Sequence, residues 1–379
     1  MQDLLITDTR AVLAGEIRPA TLWLSGGKIK QIITDETPLP NVPVFNAQGA
    51  LAVPGFIDPH IHGFAGHGPE NATVDDLLEM SKKLAKYGVS AFCPTLYCAH
   101  PHEMEALLKT LLPALGRETG AQIIGFHLEG PFISPKKPGV MKPQDIVPPQ
   151  LADMERLYEA AQGHITNITL APELPGISPI IDFCLAHGIL VQGGHTNATY
   201  DEFLRGAQQG VKHATHLFNA MSGFNHRAPG AAGAVLMHPE ISCEIIADGV
   251  HVHPDVVGFL RQVKPLENIV AITDALKPTG LTDGPFIANG EEVILDGGVW
   301  KRKTDKVIAG SALTMAQAFK NLVAFGYTPA EAVQLTSTNA ARLLDVSNKG
   351  RLEEGFAADI VLLDPQLNLQ AVFLGGKKQ

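Results

Sequence analysis

The sequence predicts an α/β protein: a (β/α)8 TIM-type barrel with a small β-sandwich domain formed by the N- and C-terminal segments. Three observations carry this prediction. Between residues 54 and 344, strand-like apolar runs alternate with helix-period segments, eight strands in all. Histidines and carboxylates recur at the carboxyl ends of several of these strands, where parallel barrels hold their chemistry. Residues 1–53 and 345–379 read instead as short strands and turns, too few in either segment to bury a face alone.

The 379 residues are 45% hydrophobic and 18% charged, an ordinary globular composition that fits one large domain plus a small one. The formal net charge is -10, and the longest basic runs are Lys136-Lys137 and Lys301-Arg302-Lys303. Such a surface argues against nucleic acid and against an anionic membrane as partners. No apolar stretch is long enough to span a bilayer. Met1-Gln2-Asp3 leads straight into a strand-like segment, without the basic start and apolar core of a secretion signal. Cys93, Cys98, Cys184 and Cys243 are scattered in apolar segments, which predicts free buried thiols in a reducing cytoplasm.

Taken in order, strands are predicted over 4–7, 21–24, 28–33 and 42–45, with a hairpin at Ser25-Gly26-Gly27. The barrel strands follow at 56–60, 90–95, 123–129, 165–170, 189–192, 212–216, 243–247 and 269–274. Helices are predicted over 74–86, 101–112, 151–161, 179–187 and 254–263, with starts at Asn71-Ala72-Thr73 and Ser178-Pro179. Residues 279–308 interrupt the last unit, and their Gly and Val content predicts a hairpin or flap over the barrel mouth. The tail adds strands at 358–363 and 369–374. No G-x-G-x-x-G fingerprint favours an open doubly wound sheet.

The chemistry-bearing residues fall at strand ends. The first barrel strand ends in Asp58-Pro59-His60-Ile61-His62. Residues i and i+2 of a strand point the same way, so His60 and His62 can hold one ion together. Strand three ends on Glu129 before a Gly-Pro turn. Strand five ends on Gly193-Gly194-His195, where the glycines are expected to let the backbone turn sharply and present His195. On strand six, His213 and His216 are three apart and should face opposite sides, with His216 inward and His213 packing. Strand eight ends on Asp274, a carboxylate too costly to bury without a metal or a proton-transfer role. A single H-x-H, Glu or Asp is more often a loop or salt-bridge residue; six such residues on one rim are not. Mixed imidazole and carboxylate ligands suit zinc, iron or manganese.

These stretches resemble the amidohydrolase superfamily, and within it the N-acetylglucosamine-6-phosphate deacetylase family. The resemblance runs over essentially the whole chain, through P-G-F-I-D-P-H-I-H-G, H-L-E-G-P-F, G-G-H-T-N-A, H-A-T-H-L-F-N-A-M-S, H-R-A-P-G-A-A-G, A-D-G-V-H, I-T-D-A and A-G-S-A-L-T-M. H-L-F-N-A-M and H-L-E-G-P are its most specific parts. It implies metal-dependent removal of an N-acetyl group from N-acetylglucosamine 6-phosphate, in amino-sugar catabolism. It implies one or two divalent ions, zinc or iron: one on Glu129, His195 and His216, a second on His60 and His62 with Glu129 bridging and Asp274 nearby. Asp274 would take a proton from the attacking water and pass it to the departing nitrogen, which leaves poorly as an anion. Asn219, Ala220 and Arg227 would hold the phosphate, Arg227 reaching across from the second subunit of a homodimer within the polar segment 222–233. Asp248 and His251 would contact the sugar, and Val140, Met141, Ile308 and Ala309 would line its pocket. Met141 stands where the family commonly has a polar residue, and it cannot donate a hydrogen bond. N-acetylgalactosamine 6-phosphate is therefore an alternative substrate. Further alternatives are a superfamily hydrolase acting on a non-phosphorylated amide and a barrel kept only as a scaffold.

Overall fold

The computed structural model describes residues 3–281 and 284–379; Met1 and Gln2, and residues 282 and 283 of the predicted flap, lie outside it. Eight parallel strands form the central sheet: β1 (Phe56–Ile61), β2 (Val89–Leu96), β3 (Phe126–Glu129), β4 (Ile165–Leu170), β5 (Leu190–Gly193), β6 (His213–Ala214), β7 (Ser242–Ile246) and β8 (Ile269–Ile272). They pair in sequence order from β1 to β8, as right-handed βα connections dictate. The last strand returns to the first: Asp274 N donates to His60 O at 2.9 Å, and Thr273 Oγ1 donates to the Asp58 carboxylate at 2.6 Å. This is the (β/α)8 barrel expected from the strand and helix alternation.

The strands are buried along their length, which is why they read as near-continuous apolar runs. Phe56, Phe92 and Phe126 are fully buried, each worth roughly 1.5–3 kcal/mol of burial. The helix Val74–Lys86 starts on Thr73, whose side chain and Asp76 cap each other's backbone N–H groups. Five helices escaped the periodicity reading: Met315–Ala324, Pro329–Val333 and Asn339–Leu343 near the end of the barrel, and two more earlier in the chain. Tyr200–Gln209 carries its own start signal, Thr199 and Glu202 capping each other. Gly230–Met237 (G-A-A-G-A-V-L-M) is apolar almost throughout, so no polar face marks it. The segment 222–233 is therefore a turn leading into the first turn of a helix, rather than a loop throughout.

A second sheet of eight strands draws on both ends of the chain. Leu51–Pro54 lies between Leu4–Leu13 and Ile360–Leu363, with Leu369–Leu374 beyond. Gly26 and Gly27 both have positive φ, at 59° and 81°, the backbone a two-residue hairpin demands. A third sheet follows β8: Phe286–Ala288, Glu291–Asp296, Val299–Arg302 and Ile308–Ser311, all antiparallel. Its last strand returns to the rim, where Ser311 N donates to Asp274 O at 2.9 Å.

Candidate metal centre and active site

The β-strand carboxyl ends converge on Glu129, the last residue of β3. Its Oε1 lies 3.1 Å from His195 Nε2 and 3.0 Å from His216 Nε2, and those two nitrogens are 3.2 Å apart. Its Oε2 lies 3.0 Å from His62 Nε2. On the same side, Asp274 Oδ1 is 3.4 Å from His62 Nε2 and 3.6 Å from His60 Nε2. Two sets of ligand atoms result, His60–His62–Asp274 and Glu129–His195–His216, and each set lies within 4.8 Å.

The tautomers decide what this cluster can hold. His62 Nδ1 meets the Thr95 carbonyl at 3.1 Å, and His195 Nδ1 meets the Lys137 carbonyl at 3.0 Å. His60 Nδ1 meets Glu244 Oε2 at 2.9 Å. Carbonyl and carboxylate oxygens only accept, so each Nδ1 carries a proton, and in the neutral imidazole each Nε2 turns a lone pair inward. The centre of the cluster is then carboxylate oxygens facing imidazole lone pairs, and His60 Nε2 is buried without a hydrogen bond, 3.5 Å from Glu129 Oε1. With the imidazoles neutral, acceptors held this close need a cation between them; without a metal, protons on the imidazoles take that place. With ligand bonds of about 2.0–2.1 Å, neighbouring ligand atoms of one ion sit about 3–3.4 Å apart, the spacing found around Glu129 Oε1. The residues present fit one or two divalent ions.

Electrostatics point the same way. Burial disfavours charge on His60, yet Glu244 and Glu129 hold its imidazole well above the ordinary range. Burial would raise Glu129, but His60, His195 and His216 hold it well below the usual carboxylate range. The pocket is built to stabilise positive charge. The backbone is strained to match: His195, His216 and Asp274 adopt φ of 44°, 28° and 50°. Such conformations cost about 1–3 kcal/mol each and gather at functional sites. The turn at His195 is therefore made by the histidine itself. The preceding glycines supply space instead, since a Cβ on Gly194 would sit 2.6 Å from Thr215 Cβ.

Above the cluster is a cavity of about 330 Å³, lined by His62, Glu129, His195, His216 and Asp274. Val140, Met141, Asn219, Ala220, His251, Ile308 and Ala309 also line it. Asp248 stands behind His251, its Oδ2 2.6 Å from Nδ1. His60 lies beneath, fully buried. Arg227 is not brought in: it is exposed, in a turn where its N–H donates to Asn225 Oδ1 at 3.0 Å. A larger hollow of about 670 Å³, between Ala14-Gly15 and Arg351, carries Glu353 and Glu354 but no imidazole beside them, so the ligand cluster belongs to the smaller one.

His216 enters the ligand cluster and His213 does not, as expected, but strand alternation is not the reason. β6 ends at Ala214, so the alternation argument does not reach His216. Both histidines are buried, His213 with Nδ1 2.6 Å from Ser242 Oγ and Nε2 4.0 Å from Glu244.

An amidohydrolase-family model matches residues 51–378. The chain is 34% identical to N-acetylgalactosamine-6-phosphate deacetylase of Escherichia coli O157:H7, over 94% of this chain and 95% of that protein. It is 31% identical to N-acetylglucosamine-6-phosphate deacetylase of Lysinibacillus sphaericus, over 96% and 94%. The chain belongs to the amidohydrolase family. A solved structure of a mutant N-acetyl-D-glucosamine-6-phosphate deacetylase from Mycobacterium smegmatis, in complex with N-acetyl-D-glucosamine-6-phosphate, superposes with a TM-score of 0.92 at 29% identity, covering 100% of this chain and 98% of that one.

Within this amidohydrolase site, Glu244 is the residue that sequence reading missed. It sits mid-strand in β7, fully buried. It holds His60, accepts from Gln192 Nε2 at 2.7 Å, and accepts from the backbone N of His216 at 3.0 Å. The available signal was a lone Glu in the apolar run S-C-E-I-I-A. A Glu244→Gln variant loses the charge facing His60 and leaves one accepting oxygen for the three donors of His60, Gln192 and His216. Metal affinity is expected to fall about 10–100-fold, as when a ligand histidine loses its partner carboxylate, with the fold intact. Competition with a chelator measures it.

Proposed function

We propose that this chain hydrolyses the N-acetyl group of N-acetylglucosamine 6-phosphate, giving glucosamine 6-phosphate and acetate, in cytoplasmic amino-sugar catabolism. The observation that carries the reading is Glu129 with both carboxylate oxygens among imidazole lone pairs, at the floor of a cavity that Asp274 also lines. The deacetylase names of the relatives, along the whole chain, support the substrate class.

In this reading Glu129, His195 and His216 would hold one divalent ion, and His60, His62 and Asp274, beside Glu129, would hold a second, zinc or iron by their donor set. When bound, the metal lowers the pKa of its water to about 7 and polarises the acetyl carbonyl. Asp274 accepts the proton of the attacking water and delivers it to the amide nitrogen, so the amine leaves neutral. His251, oriented by Asp248, hydrogen-bonds the sugar. Val140, Met141, Ile308 and Ala309 shape the pocket, and Asn219 and Ala220 meet the phosphate. Residues 1–53 and 345–379 act as one supporting domain beside the catalytic barrel of 54–344.

Arg227 completes the phosphate site of a second subunit, which makes the protein a homodimer. Its exposure supports this, as do the exposed Phe224 and Met237 of the same loop–helix unit, at 56% and 59%. Arg227→Ala is expected to raise KM for the phosphorylated sugar about 30-fold or more, the low end for losing one partner of a charge pair. Unphosphorylated N-acetylglucosamine should be unaffected; equal losses on both would remove the phosphate role.

The galactosamine epimer is the second reading. It is supported by the name of the Escherichia coli relative and by Met141, whose apolar side chain lines the cavity. Acetate release from the two epimers and from unphosphorylated N-acetylglucosamine, side by side, separates the readings. Preference for the gluco epimer supports the first, and preference for the galacto epimer supports the second. Equal turnover of the unphosphorylated sugar contradicts both.

A further inference from the structure

We infer that Glu70 is a positioning residue for the substrate cavity, and this rests on the proposed deacetylase reading. Glu70 lies in the loop after β1, the loop that begins with His62. Across from it is the turn between Phe286–Ala288 and Glu291–Asp296, made by Asn289 and Gly290 with φ of 50° and 69°. Both values are positive, as a tight hairpin turn requires, and Asn-Gly is the pair that adopts them most readily. The turn presents two successive N–H groups outward. Glu70 Oε2 accepts from Asn289 N at 2.9 Å, and Oε1 accepts from Gly290 N at 2.8 Å. A carboxylate gripping two backbone donors is a strong, directional clasp.

The clasp reaches the cavity by a second bond. Asn289 Nδ2 donates to the Val140 carbonyl at 3.2 Å. Val140 lines the cavity with its neighbours Gly139 and Met141, and a Cβ on Gly139 would lie 3.1 Å from His195 Cε1. The same antiparallel sheet supplies Ile308 and Ala309 to the wall and is tied at its base to Asp274 through Ser311. Glu70 therefore fixes the far end of that sheet and the 139–141 loop together. Two segments of the cavity lining share one anchor, and Glu70 itself does not line the cavity.

The test uses Glu70→Gln, which keeps the size but turns an amide toward one of the two N–H donors, and Glu70→Asp as the conservative variant. KM for the preferred amino-sugar phosphate is expected to rise about tenfold in Glu70→Gln, the effect of losing one hydrogen bond to a charged group. The value of kcat and the metal content should stay near wild type, and Glu70→Asp should recover part of the KM. Amide exchange at Asn289 and Gly290, measured without substrate, should accelerate in Glu70→Gln. Faster exchange with unchanged KM would overturn the positioning role, and unchanged exchange would overturn the clasp. Parallel loss of kcat, KM and metal would mean that Glu70 is merely structural. Wild-type protein inert on every acylated amino-sugar phosphate would refute the deacetylase reading instead, while the exchange measurement would still judge the clasp.

Discussion

Asp274→Asn is expected to lower kcat by about 10²–10⁴-fold, the range for removing a positioned acid–base group. The variant keeps the size of the side chain and its place after β8, where its backbone N–H donates to His60 O and its carbonyl accepts from Ser311. What it loses is basicity. An amide cannot take the water proton, and the C–N bond cannot break without a protonated nitrogen. The Glu129–His195–His216 set does not include Asp274, so an ion held there should remain. The signature is thus a protein that still binds metal and sugar phosphate but does not turn over. Near-normal turnover would overturn the proton-transfer assignment.

The second large effect concerns Glu129→Gln. Glu129 is the one residue whose two oxygens face both ligand sets, Oε1 toward His195 and His216 and Oε2 toward His62. The substitution removes the charge that holds the imidazoles' partner ion and puts N–H donors where an acceptor stood. Both ions should be lost or greatly weakened. Activity should fall on the order of a thousandfold, since several kcal/mol of metal stabilisation go with them. Elemental analysis of the purified variant gives the answer independently of activity. Substituting His62 alone should remove only the second ion. A Glu129→Gln protein with a full metal complement would refute the bridging arrangement.

The contrast between these residues and Glu244 shows what the sequence could and could not reveal. His60, His62, Glu129, His195 and Asp274 were readable because each follows or closes a largely apolar run, and strand ends in a parallel barrel share one rim. Glu244 has no such marker. It lies inside β7, and nothing in one strand's residues says whether a given side chain faces the barrel interior or the helices outside. Only the closing of the barrel brings it against His60 and Gln192. The alternation argument for His213 and His216 fell short for a related reason, although His216 stands in the cluster as expected. Alternation holds while the strand lasts, and β6 lasts two residues before the backbone enters the left-handed region at His216. The helix Gly230–Met237 was hidden because a helix apolar almost throughout has no period to detect. Glu70 and its clasp on Asn289 and Gly290 join segments more than 200 positions apart, and no local pattern announces such a bond.

The most direct test is acetate release from N-acetylglucosamine 6-phosphate by metal-stripped protein, before and after zinc or iron(II) is restored. The expected result is negligible release without metal and rapid release after one to two ions per chain have bound, with unphosphorylated N-acetylglucosamine a poor substrate throughout. Full activity in the stripped protein, or none after metal has bound, would contradict the account.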